Sequence, residues 1–174
     1  MVEMHLVAVR VELPTNTPVV LLQENGGGER TLPIFVGTPE ATAIAYAIQG
    51  VTTPRPMTHD LIRDLLIAAE VDVTSVVITE LRGSTYYAEI HLSREGMAYT
   101  VSSRPSDAIA LAARMGTPIY ADDDLIDSEG VLMPVDDDED DDGDIEPNPE
   151  ELLNQFSEFI NEVRPEDFSP GQER

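Results

Sequence analysis

Short alternating runs broken by glycine turns, with segments of helical period between them, set the expected order of elements. From Glu3 to Val11, residues Met4, Leu6 and Ala8 fall on one side and Val7, Val9 and Val11 on the other, so both faces of this strand can be buried in a sheet. Val19–Gln23 and Arg30–Val36 flank Asn25-Gly26-Gly27-Gly28, which makes them hairpin partners across a loop with enough glycine for positive φ. Thr38-Pro39-Glu40 reads as N-cap, N1 and N2 of a helix to about Gln49, closed by Gly50, with Ala41, Ile44, Ala45 and Ile48 inward. A second helix starts at the cap Thr58 and runs to about Glu70, with Leu61, Ile62, Leu65, Leu66 and Ala69 as its apolar stripe.

Val71–Leu81 and Thr85–Leu92 form a hairpin across Arg82-Gly83-Ser84. Met97–Ser102 adds a strand, Pro105 opens a third helix that ends at Met115-Gly116, and Pro118–Ala121 is a last short strand. Strand pairs alternating with helices predict an α+β fold: a single compact domain with a mixed, largely antiparallel sheet and three helices.

Beyond Asp122 the pattern changes. Asp136–Asp142 is an unbroken acidic run, which cannot collapse and reads as a solvated linker over 136–147. Asn148-Pro149-Glu150-Glu151 then starts a helix that places Leu152, Leu153, Phe156, Phe159, Ile160 and Val163 on one face. The expected organisation is thus a domain over 1–135, the linker, and an amphipathic helix and tail over 148–174, a helix that docks on its own domain or on a protein partner. Asp138–Ile145 matches the first eight positions of an EF-hand loop, but an all-acidic run supplies the aspartate spacing for nothing, and position twelve is Pro149. A linker is the simpler reading than a Ca²⁺ site.

Charge sharpens this division. The chain has 34 acidic residues and 10 basic ones, all arginine, for a net charge of −24. Residues 1–121 carry 13 acids and 8 arginines, so −19 of that total lies in 122–174. A uniformly acidic surface would repel nucleic acid and anionic membranes, and the first two thirds do not have one. With no cysteine, disulfides and thiolate metal sites are excluded. No signal-peptide pattern or membrane-length apolar run occurs, so a cytoplasmic protein without a membrane partner is the expectation.

Two segments concentrate chemistry at helix starts. Arg55-Pro56-Met57-Thr58-His59-Asp60 puts an arginine before a helix whose first turn holds a histidine and an aspartate. The positive end of the dipole there suits a neutral imidazole base and an ionised Asp60, and Arg55 is placed to hold a phosphate against the same end. Arg104-Pro105-Ser106-Asp107 repeats the design. Taken alone, each segment is more simply explained by ordinary capping, and only their being brought together by the fold would favour a shared polar site. Glu40 is a third first-turn acid, and with Asp60 and Asp107 it makes a candidate oxygen ligand set for Mg²⁺ or Mn²⁺. No phosphate loop, dinucleotide fingerprint, nucleophile elbow or zinc-protease motif is present, and no organic cofactor is indicated.

Leu32-Pro33-Ile34-Phe35-Val36-Gly37 with Glu40-Ala41, Pro54-Arg55-Pro56-Met57-Thr58-His59-Asp60-Leu61, Tyr86-Tyr87-Ala88 and Arg104–Ala112 together resemble the bifunctional nuclease domain family over residues 3 to 135. The chain looks like the actinobacterial-type branch, whose members tend to end in an acidic linker and a helix. The resemblance implies a compact, often oligomeric α+β domain that cleaves RNA and DNA with little sequence preference. Carried over onto matching positions are Glu40, Arg55, His59, Asp60, Arg104 and Asp107. Two positions depart from the pattern: Ser102 stands where many relatives have an acid, and Tyr86 where Phe is common.

The leading expectation is therefore a non-specific phosphodiesterase. His59 would be the general base, Arg55 and Arg104 would stabilise charge at phosphorus, and Glu40, Asp60 and Asp107 would orient them or hold the metal. The alternative is a non-catalytic homo-oligomeric interaction or regulatory module acting through its acidic tail and C-terminal helix. The tail could equally be autoinhibitory, its carboxylates competing with phosphates for the arginines. Separation of Arg55/His59 from Arg104/Asp107 by more than about 15 Å with no cleft, even across a subunit interface, would remove the positioning argument for catalysis.

Overall fold

The hairpin signals build most of the sheet. In a computed structural model, which describes residues 1–13, 15–26 and 30–132, eight strands form one sheet. They are β1 (Val2–Glu12), β2 (Thr17–Glu24), β3 (Arg30–Phe35), β4 (Asp72–Arg82), β5 (Thr85–Arg94), β6 (Met97–Ser103), β7 (Ile119–Ala121) and β8 (Val131–Leu132). The spatial order is β6-β5-β4-β7-β1-β2-β3-β8, and only β4–β7 is parallel. The mixed, largely antiparallel α+β reading therefore holds. Two-residue turns join β4–β5–β6: Gly83 and Ser84 have φ of 56° and 64°, and Glu95 and Gly96 have 51° and 78°. Positive φ at both central residues matches the twist of paired strands, and glycine tolerates it without strain.

Four helices accompany the sheet: α1 (Thr38–Ile48), α2 (Thr58–Ala68), α3 (Pro105–Met115) and α4 (Asp123–Glu129). The fourth was not expected. Asp122 to Asp124 resemble the start of the acidic tail, but Asp122 is an N-cap whose carboxylate accepts from the Asp124 amide at 3.0 Å, and Leu125 and Ile126 enter the core.

The core lies between the sheet and α1, α3 and α4. Val20, Leu22, Leu32, Ile44, Val76, Ile78, Ile109 and Ile126 are its fully buried large side chains. α3 spans β4 and β5, α1 packs on β1 and β2, and the two helices touch one another. A bulge in β1 between Leu6 and Ala8 shifts the alternation, so Val2, Met4, Leu6 and Val9 face the core while Val7 and Val11 are exposed. The expected burial of both β1 faces is corrected accordingly.

Packing is uneven among the helices. α3 buries seven residues, whereas α2 buries only His59, leaving Leu61, Ile62, Leu65 and Ile67 exposed. The apolar stripe expected to bury α2 thus stays outside the core, as does Ile48 of α1. No helix among the described residues is long and apolar enough to cross a membrane. The acidic linker, the EF-hand-like stretch and the C-terminal amphipathic helix all lie outside the described residues.

Candidate active site at three helix starts

α1, α2 and α3 begin alike. Their N-caps are Gly37, Met57 and Arg104, each extended with φ of −71° to −73°, so Glu40, Asp60 and Asp107 all occupy N3. The caps expected at Thr38 and Thr58 lie one residue too late, and His59 is N2 rather than N1. The reason is local: none of the three N-cap residues caps with its own side chain, so no Ser/Thr signal marks the boundary. At α2 the third-position acid caps instead, Asp60 Oδ2 accepting from the Met57 amide at 3.0 Å.

Glu40 and Asp107 turn elsewhere, and this assembles the site. Arg104 donates to Asp107 through two nitrogens, Nε to Oδ2 at 2.7 Å and Nη2 to Oδ1 at 2.9 Å, and its Nη1 lies 2.9 Å from Glu40 Oε1. The Glu40 carboxylate folds back over Gly37, where a Cβ would meet Oε2, so glycine makes the approach possible. On the other side, Asp107 Oδ1 is 3.2 Å from His59 Nε2. One polar chain, Glu40–Arg104–Asp107–His59, thus links the starts of three helices.

Electrostatics fix the direction of the last bond. The hydrogen bond from Arg104 holds the Asp107 carboxyl below its usual range against the opposing effect of burial, and the bond from His59 adds to this. An ionised carboxylate only accepts, so His59 donates from Nε2, and a neutral imidazole in that orientation carries its lone pair on Nδ1. The His59 side chain is only 11% exposed, which restricts the directions from which a partner can reach that lone pair.

Asp60 belongs to a second cluster. Arg114 Nε donates to Asp60 Oδ1 at 2.7 Å, with Arg63 at 4.0 Å from the same oxygen. Burial raises the Asp60 carboxyl, but Arg114, the Met57 amide and Arg63 outweigh it and leave the group below its usual range. The Arg114 side chain is 4% exposed and ties the first turn of α2 to the last turn of α3. Sequence reading missed Arg114, whose place in a last turn reads as a dipole complement. Its spacing from Asp107 offered the available signal, because two helical turns put both on one side of α3. A cleft of about 390 Å³ opens beside Asp60 and Arg114, walled also by Tyr46, Thr53 and Arg63, and its lining does not include His59 or Arg104.

Of the six expected residues, Glu40, His59, Arg104 and Asp107 are therefore joined directly, and Asp60 stands next to His59 but faces the other way. Arg55, on the loop entering α2, is exposed and has no acidic partner among the described residues. Glu40, Asp60 and Asp107 do not form one ligand set, since Asp60 is committed to Arg114 and the other two close on Arg104. No group of three potential metal ligands occurs among the described residues.

The family model described as the bifunctional nuclease domain matches residues 20–134, an interval that contains all three helix starts and Arg114. The chain belongs to the bifunctional nuclease domain family. An uncharacterised Mycobacterium tuberculosis protein is 43% identical over 166 residues, covering 95% of this chain and 97% of its own length. Bifunctional nuclease 2 of Arabidopsis thaliana is 32% identical over 127 residues, 70% of this chain, and bifunctional nuclease 2 of Oryza sativa is 30% identical over 117 residues, 66% of this chain. This bifunctional nuclease domain corresponds to only 38% and 36% of those two plant proteins.

Proposed function

We propose that the domain hydrolyses phosphodiester bonds in RNA and DNA, with His59 as general base. The observation that carries this reading is the His59–Asp107 pair, joined across 48 residues of sequence and held by Arg104 and Glu40. A base of this kind needs a fixed tautomer and ring orientation, and the Asp107 carboxylate supplies both. His59 Nδ1 takes a proton from water, or from the 2′-hydroxyl in RNA, as that oxygen bonds to phosphorus and the P–O bond to the departing nucleoside oxygen breaks. The departing oxygen is protonated by solvent or by the imidazolium that Asp107 stabilises, and attack by the 2′-hydroxyl leaves a 2′,3′-cyclic phosphate that water then opens. Family membership supports phosphodiesters as the substrate class.

The arginines divide the remaining work. The Arg104 guanidinium is shared between two carboxylates and acts as a brace, whereas Arg55 has no such partner among the described residues and is a cation available to a phosphate oxygen. Asp60 and Arg114 hold the first turn of α2, and so His59, in place. Cleavage with and without EDTA reads whether Mg²⁺ or Mn²⁺ contributes.

The test is cleavage of labelled single-stranded RNA and DNA by the purified full chain. His59→Ala is expected to lower the rate about 100-fold or more. A variant as active as wild type would overturn the assignment. Wild-type protein that folds but cleaves neither substrate would favour the second reading, a non-catalytic interaction module, which the mutual neutralisation of the helix-start charges also fits.

A further inference from the structure

The cleft beside Asp60 and Arg114 has no part in the chemistry assigned to His59, yet it is a preformed space. Its volume of about 390 Å³ lies within the roughly 300–1,000 Å³ of ligand pockets. One wall is the loop from Gly50 to Pro56, and local bonds hold that loop in shape. Gly50, at φ of 64°, turns the chain out of α1, the Val51 amide donates to the Tyr46 carbonyl at 2.9 Å, and the Thr53 hydroxyl donates to the Arg55 carbonyl at 2.5 Å. Pro54 and Pro56 stiffen the rest. α1 and α3 contribute Ala47 and Ala113, whose small side chains keep the space open.

The charges of the lining cancel, Asp60 and Asp64 against Arg63 and Arg114. Arg114 takes up Asp60, and Arg63 donates through Nε and Nη2 to a single Asp64 oxygen, Oδ1, at 2.9 and 2.8 Å. Asp64 Oδ2 is left to accept from a ligand. A lining without net charge gives little hold on a phosphate, but it suits a neutral planar group with donors at its edge. Tyr46 is the one aromatic ring in this lining. The cation for a phosphate stands beside it: Arg55, exposed, lies in the chain between the wall residues Pro54 and Pro56.

We infer that the cleft and Arg55 together bind one nucleotide of a nucleic-acid strand, the base in the cleft against Tyr46 and the phosphate on the Arg55 guanidinium. This deepens the phosphodiesterase reading and rests on it for the class of ligand. Stacking on an aromatic ring tolerates any base, and every base has an N–H or NH₂ that Asp64 Oδ2 can accept, so the site grips a strand without selecting its sequence. Asp60 of the lining directly follows His59 in the first turn of α2. A strand anchored here therefore runs past that turn, and the anchor sets which phosphate reaches His59.

Calorimetric titration of the full chain with cytidine 5′-monophosphate, cytidine and ribose 5-phosphate tests this without any cleavage. The nucleotide is expected to bind about tenfold more tightly than ribose 5-phosphate, which lacks the base, and more tightly than cytidine, which lacks the phosphate. Ala47→Leu and Ala113→Leu fill the cleft from two helices with a good helix former and should keep the circular dichroism of wild type. Each should weaken the nucleotide to the level of ribose 5-phosphate, and Arg55→Ala should weaken it to the level of cytidine. In wild type, nuclear Overhauser contacts should join the cytosine protons to the Tyr46 ring, which needs no substitution. No binding at millimolar nucleotide, ribose 5-phosphate bound as tightly as the nucleotide, undiminished binding in a folded leucine variant, or cytosine contacts away from the cleft would each overturn the inference. A chain that binds the nucleotide as expected but cuts neither RNA nor DNA would sink the nuclease reading and leave this one standing.

Discussion

α2 and α3 have the same length and similar amphipathic patterns, yet they are held in place by different physics. α3 is fixed by burial, with Ala108, Ile109, Ala110, Leu111 and Ala112 at 0–2% exposure over β4 and β5. α2 keeps Leu61, Ile62, Leu65 and Ile67 outward and is fixed at its first turn by two polar ties to α3, Asp60 to Arg114 and His59 to Asp107. An apolar stripe shows that a helix has a face to bury, but not that its own domain supplies the cover. The candidate base thus sits on the less buried of the two helices, where a few charged groups decide its position. Sites on such elements are adjustable at small cost to overall stability.

The largest expected difference is in the cost of truncating each helix's apolar side. Ile109→Ala removes a side chain with no exposure and should destabilise by about 3–4 kcal/mol. Leu65→Ala on α2, 59% exposed in wild type, should stay within about 0.5 kcal/mol. Urea unfolding of both variants checks this, and equal costs would mean that the α2 stripe is covered after all.

Next in size is the polar attachment. Arg114→Met leaves the Asp60 carboxylate without its main partner, and with Asp60 one-fifth exposed the expected loss is about 2–3 kcal/mol, less than for a fully buried pair. The distinguishing readout is amide exchange, which should speed up in the first turns of α2 while the middle of α3 remains protected. Acid should act on the same attachments. Asp60 and Asp107 both titrate below their usual range in the folded chain, so the stability they contribute is fully present above the unfolded carboxylate range and is lost as pH falls through the folded values. Stability should therefore change little through these two groups between neutral pH and about pH 5, and fall below about pH 4. In Arg114→Met that acid-dependent fall should be smaller, since the pairing that lowers Asp60 is gone.

The same contrast explains which parts were legible in the sequence. Hairpin turns and helix starts are local, so β4–β5–β6 and the openings of α1, α2 and α3 could be read to within a residue or two from Gly83, Gly96, Pro39 and Pro105. The β1 bulge was not legible, because alternation looks regular until the partner strand sets the register. α4 was missed because Asp122 to Asp124 share their composition with the acidic stretch that follows. In the site, the residue types at Glu40, His59, Arg104 and Asp107 were readable, but their grouping depended on how α1, α2 and α3 pack. Arg114 was lost for that reason, since nothing near it in the chain indicates a carboxylate 54 positions earlier.

The smallest expected effect is the most selective probe of the braced site. Gly37 has φ of −73°, which any residue adopts, so Gly37→Ala brings no backbone strain and gains a little by restricting the unfolded chain. Its new Cβ would displace the Glu40 carboxylate and loosen the outermost link of the chain, an ion pair to an arginine that is 65% exposed. The two effects nearly cancel, and the melting temperature should move by no more than a few degrees. Cleavage should fall only a few-fold, because Arg104 still holds Asp107 through two bonds. Asp107→Asn should cost far more, since the amide has one acceptor oxygen where Arg104 and His59 together use two, and with that oxygen on Arg104 its NH₂ faces His59 and favours the opposite imidazole tautomer. Comparing initial rates of the two variants on one RNA substrate measures how steeply the effect rises towards the base. If Gly37→Ala were as damaging as Asp107→Asn, Glu40 would act on the substrate itself rather than through Arg104.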